Sequence, residues 1–476
     1  MRVNKHLRIF GGLLLIVSML SLLAVNYSSV PEWATNVNYQ IFGTFPESNL
    51  RADEKINFIP ANADFHGDTI EILVELTAPT GMATFQQMKM MPTLQTYGTV
   101  KNRFSSLVNV VVMEVDESQV NSIAQNKQVK SIYTNEPVFK LTSSQPTIRF
   151  LRPGECTPAQ IDKMWTQNYS GKKVAVAVCD SGINHPAVND RVVFTWSFDG
   201  NVNRPPDGNH GTACAGVIAS NDISHPGIAP DVVLLDIHAF HWQGGAVTSS
   251  GEDILGGWEA IYQWKIAHPD YIVIASNSWG VPQAGNLYDE ATKQLKQQGI
   301  ICVCAAGNED STIGRNQNIL SPGSSKYVLC VGAVDDSMMP ASFTSVGPAW
   351  NGELKPDVCA FGVTIDTTNV GGGWMEFSGT SAATPYVAGC IALLAEAHPD
   401  WSVEQFYSAV KSTTMDLGRS GWDPYYGYGF IQVYNAHMNI ETEFLPDNSA
   451  INYGFMMLAI VGVGFLLAPR QARLHA

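Results

Sequence analysis

Residues 174–179, VAVAVC, are an uninterrupted apolar run that is followed at once by Asp180. Such a run is typical of a strand, and because no polar residue alternates with the apolar ones, the strand should be buried on both faces. After it, apolar runs alternate with stretches of helical length, at 211–219, 232–238, 253–267, 272–275, 287–298 and 300–305. This alternation predicts an α/β domain with a doubly wound, mostly parallel sheet covered by helices on both faces.

Four polar side chains fall at strand ends or helix starts in this pattern. Asp180 follows the first strand, His210 opens the next helix, Asn308 follows a later strand and Ser381 opens a late helix. Ligands of parallel sheets gather at the carboxyl ends of the strands. We therefore expect these four side chains to converge on one site.

Ser381 lies in the segment GTSAATP, residues 379–385, ahead of the apolar run 388–397. Pro385 is tolerated in a first helical turn, where its missing N–H costs no hydrogen bond, so the segment predicts a helix that begins near Ser381. Free backbone N–H groups and the positive end of the helix dipole favour a developing anion there. The position suits a nucleophile, although a small-residue turn before a helix is also typical of a plain N-cap.

The four residue types are those that acyl transfer through a serine requires. A serine hydroxyl is a poor nucleophile until a neutral imidazole takes its proton, and a carboxylate has to hold that imidazole in the right tautomer. Asn308 and the backbone N–H of Ser381 would donate to the oxyanion. Taken singly, Asp180 and Asn308 are typical turn residues and His210 is a typical helix cap. We favour catalysis because all four occur together.

These residues and their surroundings resemble the subtilisin family of serine peptidases. The matching segments are VAVAVCDSGINHP at 174–186, HGTACAGVIA at 210–219, GIAP at 227–230, NSWG at 277–280, AAGN at 305–308 and GTSAATP at 379–385. The resemblance implies a subtilisin-like fold, polypeptide substrates, a catalytic triad of Asp180, His210 and Ser381 in that chain order, and Asn308 in the oxyanion hole.

The resemblance also implies the substrate-binding edge and the walls of the primary specificity pocket, which fall on Ser278, Trp279, Gly280, Ala305, Ala306 and Gly307. We favour a pocket-wall role for Trp279 over a core role. Glu309 matches a rim position, where an exposed solvated charge is an equally good interpretation.

No metal or other cofactor is expected from the sequence. The loop 221–226 is shorter than the calcium-binding loop of the family. Calcium therefore stays open, with ligands that the sequence does not identify, since Asp and Asn in this loop are also typical of a turn.

Ahead of this domain a smaller pattern covers residues 68–141. It consists of a strand, a helix, a strand, a short helix and a strand, at 69–76, 83–94, 107–115, 118–126 and 129–133. Two βαβ-like halves predict a small α+β, ferredoxin-like domain. The region is similar to the inhibitory propeptide of the same family, most clearly at 103–141, which implies a zymogen inhibited by its own propeptide.

Both ends of the chain carry apolar segments with basic flanks. Basic residues precede an uncharged run at 9–25, as in a secretory signal peptide or an N-terminal membrane anchor. Residues 451–468 are uncharged and precede two arginines. About 18 residues make about 27 Å of helix, just enough to cross a bilayer. Because basic flanks stay in the cytoplasm, we expect the catalytic domain to be extracytoplasmic, at the cell membrane.

The resulting domain prediction is a signal peptide or N-terminal anchor at 1–25, a spacer at 26–67, an inhibitory propeptide at 68–141, a catalytic domain at 142–440, a linker at 441–450, a transmembrane helix at 451–468 and a cytoplasmic tail at 469–476.

Composition excludes several other functions. The chain has 476 residues with 28 Lys and Arg against 43 Asp and Glu, so a net charge of −15 disfavours binding to nucleic acid. Its 8 cysteines include no CxxC pair and no zinc spacing. Most of them lie in apolar runs and are expected to be core thiols rather than disulfides; a distant partner for Cys156 is left open.

We therefore expect an exported, membrane-tethered serine endopeptidase that is made as a zymogen and cuts itself between about Phe139 and Pro153. Two alternatives are kept. One is a transpeptidase or processing enzyme with the same triad, and the other is a noncatalytic peptide-binding module on the same scaffold.

Overall fold

The computed structural model describes residues 48, 50–57, 69–135, 157–243, 246–282, 287–308 and 318–443. Within these ranges a small N-terminal unit precedes a larger one. The elements of the N-terminal unit are α1 (Ala52–Lys55), β1 (Ile56–Asn57), β2 (Thr69–Leu76), α2 (Thr80–Leu94), β3 (Gly98–Phe104), β4 (Val110–Asp116), a 3-10 turn (Glu117–Gln119), α3 (Val120–Ala124) and β5 (Val129–Thr134).

The elements of the larger unit are two 3-10 turns (Thr157–Ala159 and Asn189–Arg191), α4 (Ile161–Thr166), β6 (Val174–Asp180), β7 (Val192–Ser197), α5 (His210–Ala219), β8 (Asn221–Asp222), β9 (His225–Pro226), β10 (Val233–His238), β11 (His241–Gln243), β12 (Ala246–Thr248), α6 (Gly251–Ala267), β13 (Ile272–Asn277), α7 (Leu287–Gln297), β14 (Ile300–Ala305), β15 (Leu329–Val334), β16 (Val358–Phe361), β17 (Ile365–Thr368), β18 (Trp374–Phe377), α8 (Thr380–Ala397), α9 (Val403–Ser412) and α10 (Val433–Glu443).

The larger unit is built on a sheet with strand order β16-β15-β14-β13-β6-β10-β7, in which every pairing is parallel. Its interior strand β6 shows why the sheet is covered on both sides. Val174, Val176 and Val178 belong to the core under α5 and α8, whereas Ala175 and Cys179 belong to the core under α6 and α7. The predicted α/β fold with a parallel sheet is confirmed.

The N-terminal unit is an antiparallel sheet, in the order β5-β2-β4-β3, with β1 added beside β5. One face of this sheet packs on α2 and α3 around Val74, Met90 and Ile123. The arrangement agrees with the predicted α+β unit. Strand β3 has no counterpart in the prediction, because most of its side chains are exposed and leave no apolar pattern.

The opposite face of the N-terminal sheet is buried against the larger unit. Its side chains join the core that also contains α6 and α7: Leu73, Phe104, Leu107, Val108, Val110, Val112 and Tyr133. The two units therefore share one continuous hydrophobic core along this face.

None of the described helices is both long and apolar enough to cross a membrane. The predicted transmembrane helix 451–468 and the predicted signal peptide or anchor with its apolar run 9–25 lie outside the described residues, as do Cys156, Glu309 and the expected cleavage region 139–153. The described cysteines are all buried, and no disulfide joins them, as expected of core thiols. They are Cys179, Cys214, Cys302, Cys304, Cys330, Cys359 and Cys390.

Candidate active site

The predicted polar residues meet at the carboxyl edge of the parallel sheet. Asp180 is the last residue of β6, His210 is the first of α5, and Asn308 follows the end of β14. Ser381 is in the first turn of α8, one residue after its start at Thr380. The chain places each of them where a strand or helix ends, so the rigid elements fix their positions.

Asp180 and His210 form a buried hydrogen-bonded pair. The Nδ1 atom of His210 lies 2.9 Å and 3.0 Å from the two carboxylate oxygens of Asp180, and the amide of Ser181 donates to the same carboxylate at 2.7 Å. The pair leaves the proton of a neutral imidazole on Nδ1 and a lone pair on Nε2. That Nε2 atom is buried and has no hydrogen-bond partner among the described residues.

The imidazole of His210 is also held from its sides. Its ring packs edge-to-face on Phe377, with centroids 5.1 Å apart and an interplanar angle of 86°. Cys214 lies one helical turn further along α5, and its Sγ atom is 3.8 Å from Asp180 Oδ2 and 3.9 Å from His210 Nδ1. Burial raises the pKa of the Cys214 thiol well above its ordinary value, and the nearby Asp180 charge adds to this, so the group stays a neutral thiol.

Ser381 is tied to Ser278 by two reciprocal hydrogen bonds. The Ser381 hydroxyl donates to the Ser278 carbonyl at 2.9 Å, and the Ser278 hydroxyl donates to the Ser381 carbonyl at 3.0 Å. In this arrangement Ser381 Oγ is not hydrogen-bonded to His210, whose Nε2 atom has no partner among the described residues. Catalytic hydrogen bonds of this kind often tighten only when substrate is bound.

Pro385 explains why the Ser381 carbonyl accepts from a side chain. It is the sixth residue of α8, beyond the first turn to which the sequence assigned it. Because proline has no N–H, the carbonyl four residues earlier, that of Ser381, loses its intrahelical donor. The Ser278 hydroxyl and the Cys214 thiol, at 3.0 Å and 3.5 Å, donate to it instead.

Asn308 is oriented by Thr380, a residue whose role the sequence did not predict. The Asn308 Oδ1 atom accepts from the Thr380 amide at 2.9 Å and from its hydroxyl at 2.8 Å, while that hydroxyl accepts from the Gly307 amide at 3.2 Å. The side-chain amide nitrogen of Asn308 then lies beside Gly379, where an added Cβ would come within 3.2 Å of it. This orientation aims an N–H donor at the start of α8, next to Ser381.

The segments predicted to wall the specificity pocket lie beyond β13 and at the end of β14. Gly280 and Gly307 are on opposite segments, and Ser278 links the first of them to Ser381. The side chain of Trp279, which the sequence analysis assigns to the pocket wall, is only 3% exposed and packs in the core against Trp258 and other aromatic rings. Its indole is therefore a core group, and its size supports this edge from below.

Asp236 is a further carboxyl group near the site that the sequence did not single out. It lies on β10 with 7% exposure, its Oδ2 atom accepts from the Ile183 amide at 3.3 Å, and its Oδ1 atom has no partner among the described residues. Burial is the main cause that raises the pKa of Asp236 to about 7, and the Asp180 charge contributes to the same shift.

The hairpin at 221–226 does not fit a calcium site. The Asp222 carboxylate accepts from the amides of Ser224 and His225 and pairs with the His225 ring at 3.2 Å. Asn221 donates its amide to Asp190 at 3.1 Å. Among the described residues, no group of three acidic, histidine or cysteine ligands forms around this hairpin. Hydrogen-bond donors of the chain itself already occupy these carboxylates.

Comparisons with known proteins agree with this geometry. A model of the subtilase family of peptidases matches residues 171–429. Subtilisin NAT of Bacillus subtilis subsp. natto is 32% identical over 344 residues, which is 71% of this chain and 83% of the relative. Subtilisin of Bacillus pumilus is 36% identical over 276 residues, or 57% of this chain and 93% of the relative. Serine protease AprX of Bacillus subtilis (strain 168) is 30% identical over 372 residues, or 71% and 80% of the two chains.

Proposed function

The chain belongs to the subtilase family and is a serine endopeptidase, and from this premise we propose how its residues act and how it is made. Ser381 attacks the peptide carbonyl, His210 is the general base and then the general acid, and Asp180 orients the imidazole. Asn308 donates to the oxyanion. The enzyme is made as a membrane-tethered, self-processing zymogen that works outside the cytoplasmic membrane.

The Asp180–His210 pair, with its open Nε2 atom, carries this assignment. As Ser381 Oγ forms its bond to the carbonyl carbon, its proton passes to Nε2, and the imidazolium that results is stabilised by the carboxylate on Nδ1. The oxyanion receives N–H bonds from the Asn308 side chain and from the Ser381 backbone at the start of α8, where the helix dipole adds to them. The imidazolium then protonates the leaving amine, and a water molecule repeats the sequence on the acyl-enzyme.

A fluorophosphonate probe tests the nucleophile. The processed protein should be labelled at Ser381, and Ser381→Ala should lose the label. The control Ser337→Ala, at an exposed serine outside the candidate site, should keep it. An unlabelled wild type would favour the noncatalytic peptide-binding alternative. Product masses with and without an added amine distinguish hydrolysis from the transpeptidase alternative, since a transpeptidase transfers most of the acyl fragment to the amine and a hydrolase transfers most of it to water.

The docked N-terminal unit supports the zymogen part of the proposal. Besides the shared core, Asn135 accepts from the Glu252 amide at the start of α6 at 2.9 Å, and Asn102 donates to the Glu252 carboxylate at 2.9 Å. Asn135 immediately follows β5, so the docked unit holds the beginning of the connection between the two units. An active site in the same chain meets that connection at a high effective concentration, which favours intramolecular cleavage.

The mass of a catalytically inactive variant tests self-processing. Ser381→Ala, expressed in a host without related peptidases, should accumulate as the full-length precursor, and Ser337→Ala should mature like the wild type. If Ser381→Ala acquired the wild-type N-terminus, another enzyme would be making the cut, and the zymogen proposal would be wrong.

The membrane part of the proposal rests on the sequence of the two terminal segments. With residues 9–25 and 451–468 as apolar segments with basic outer flanks, the catalytic domain is expected outside the membrane. Protease shaving of intact cells tests this topology. A catalytic domain that survived shaving and was digested only after lysis would contradict it.

A further inference from the structure

Residues 198–209 form the loop between β7 and α5 and lead directly into His210. Because His210 is the first residue of α5, the position of its backbone depends on this loop as well as on the helix. Asn209, the residue before it, makes no side-chain hydrogen bond that caps the helix. The loop therefore has to be held in place by other contacts.

The Asp207 carboxylate collects donors from three parts of the chain. Arg204, in the same loop, donates to its two oxygens from Nε and Nη2 at 2.8 Å and 3.3 Å. His238, the last residue of β10, lies with Nε2 3.0 Å from Oδ2, and the Trp242 amide on β11 donates to Oδ1 at 3.3 Å. The Asp207 amide donates in turn to the carbonyl of Ser181, which follows β6, at 2.8 Å. One residue thus ties the loop to the ends of β6 and β10 and to β11.

The ring of His238 is buried at a place that the sheet defines. It is 1% exposed, and the register of β10 on β6 pairs His238 with Asp180. A Cβ added to Gly182 would lie 2.9 Å from His238 Nδ1, so the ring occupies space that a glycine leaves open. Burial lowers the pKa of His238, although the Asp207 carboxylate opposes the shift, and the ring is neutral at neutral pH. Its one N–H is then on Nε2, where it donates to the carboxylate.

Asp207 is the ionised partner in this network. Burial acts to raise its pKa, but the hydrogen bonds from Arg204 and from the Trp242 amide outweigh burial and hold the pKa below its ordinary value. The carboxylate is only 11% exposed. Hydrogen bonds to an ionised acceptor are roughly twice as strong as those between neutral groups. The chain is therefore firmly held three residues before His210.

We propose that Asp207 and His238 are positioning residues for the general base His210, and that the hydrogen bond between them transmits the geometry of the parallel sheet to the start of α5. This inference rests on the proposed function, in which the imidazole of His210 takes the proton of Ser381. Without the bond the loop loses its side-chain link to β10, and the imidazole is no longer held at its distance from Asp180. A misplacement of about 1 Å can cost about 100-fold in rate.

Steady-state kinetics of the matured full chain test the inference, on a fluorescence-quenched peptide that the wild type cleaves and with active sites counted by fluorophosphonate titration. His238→Leu removes the donor and should lower kcat per active site by roughly 10- to 100-fold, with a smaller change in KM. His238→Gln supplies an amide N–H near the position of Nε2 and should restore most of the loss.

Asp199→Asn is the matched control. Asp199 also accepts from Arg204, at 2.9 Å, and it accepts from Ser197 and Asn201, which are close to it in the chain. These bonds stay within the loop and its flank and do not reach β10 or β11. The variant should therefore keep kcat within about twofold of the wild type.

A proton NMR signal distinguishes positioning from a loss of folding. A histidine Nδ1–H that donates to a buried carboxylate gives a strongly deshielded proton, and the signal of the His210–Asp180 pair is assigned by its loss in Asp180→Asn. In His238→Leu this signal should shift or broaden, and His238→Gln should bring it back. A merely structural role would lower Tm and the number of active sites, but would leave kcat per site and the proton signal as in the wild type.

The outcomes separate this inference from the proposed function. A His238→Leu protein with wild-type kcat per active site and an unchanged proton signal overturns the inference while the peptidase mechanism stands. So does a loss of kcat that His238→Gln does not restore, because the donor would then not be the group that matters. If His238→Leu fails to fold, Asp207→Asn decides, since it removes the charge at almost the same shape and should also lower kcat. A wild-type protein that neither takes the probe nor cleaves any peptide contradicts the proposed function itself.

Discussion

Replacing Asp236 by asparagine should stabilise the protein at neutral and alkaline pH and have much less effect at acid pH. The carboxyl group is 7% exposed, and its Oδ1 atom has no hydrogen-bond partner among the described residues. Burial raises its pKa from the ordinary 3.8 to about 7, with the Asp180 charge adding to the shift. The folded protein therefore favours the neutral acid, which asparagine resembles in size and charge.

The sign and size of the effect follow from that shift. Between about pH 4 and pH 7 the folded state binds more protons at Asp236 than the unfolded chain does, so stability falls as the pH rises through this window. A difference of roughly three pKa units at about 1.36 kcal/mol each gives about 4 kcal/mol above pH 7. Asparagine has no such loss, so the advantage of Asp236→Asn should grow to about 4 kcal/mol across the same window.

Thermal unfolding measured by circular dichroism from pH 4.5 to pH 8.5 tests the prediction. All proteins should carry Ser381→Ala so that self-digestion does not intervene. Since about 1 kcal/mol shifts Tm by roughly 2–4 °C in domains of 150–250 residues, the gain in Tm at pH 8 should be on the order of 10 °C larger than at pH 4.5. Asp336→Asn, at an exposed aspartate, is the control and should differ from the parent by no more than about 0.5 kcal/mol at any pH.

A constant difference between Asp236→Asn and its parent across the whole pH range would refute the reasoning. That result would mean that Asp236 is ionised in the folded protein at little cost, and that solvent or a rearranged neighbour solvates the charge. A loss of stability that grows with pH would have the wrong sign and would point to a favourable role for the ionised carboxylate.

Three further substitutions test the roles of buried polar groups. Thr380→Val removes the hydroxyl that orients Asn308, and the loss of this buried hydrogen bond, about 1–3 kcal/mol, should lower kcat about 5- to 150-fold with a smaller change in KM. Thr380→Ser should restore kcat, and an unchanged kcat in Thr380→Val would contradict the orienting role of the hydroxyl. Asp180→Asn leaves the imidazole in the wrong tautomer and should lower kcat on the order of 10⁴-fold in stopped assays, so near wild-type turnover would exclude the pair as the base. Lys355→Met removes the 2.6 Å partner of the buried Asp357 carboxylate, while Lys411 at 3.5 Å and the Cys330 amide at 2.8 Å remain. The loss should therefore be about 1–3 kcal/mol of unfolding free energy in denaturant titrations, and an unchanged free energy would show that Lys411 compensates the charge in full.

Local sequence patterns were sufficient for most of the secondary structure and for the residues of the site. The apolar run that was expected as a strand at 300–305 is β14 with the same bounds, and the alternating run at 69–76 is β2. Both signals are local, because an apolar run marks a strand buried on two faces and alternation along the chain marks a strand, even though β2 is buried on both faces from Ile72 to Leu76. The catalytic candidates were found in the same way, since each lies where such a pattern ends.

Sequence patterns predicted a residue's environment less well wherever that environment depends on residues distant in the chain. Strand β3 is not predicted, because its exposed side chains have no apolar period. Pro385 is predicted in the first helical turn, because the sequence does not show that Ser278 and Cys214 donate to the Ser381 carbonyl, which the proline leaves without a backbone donor. Trp279 was assigned to the pocket wall, but the neighbours that bury its ring come from other elements.

By itself, the sequence therefore determined most of the strands and helices, the family resemblance and the candidate reactive groups, because each of these depends on residues close together in the chain. Only the tertiary structure decided that Thr380 orients Asn308, that His238 bonds to Asp207, and that Asp236 lies buried near Asp180. These relations join residues tens of positions apart. They arise when the parallel sheet brings its strand ends to one edge, where distance, burial and charge act on groups that no local pattern connects.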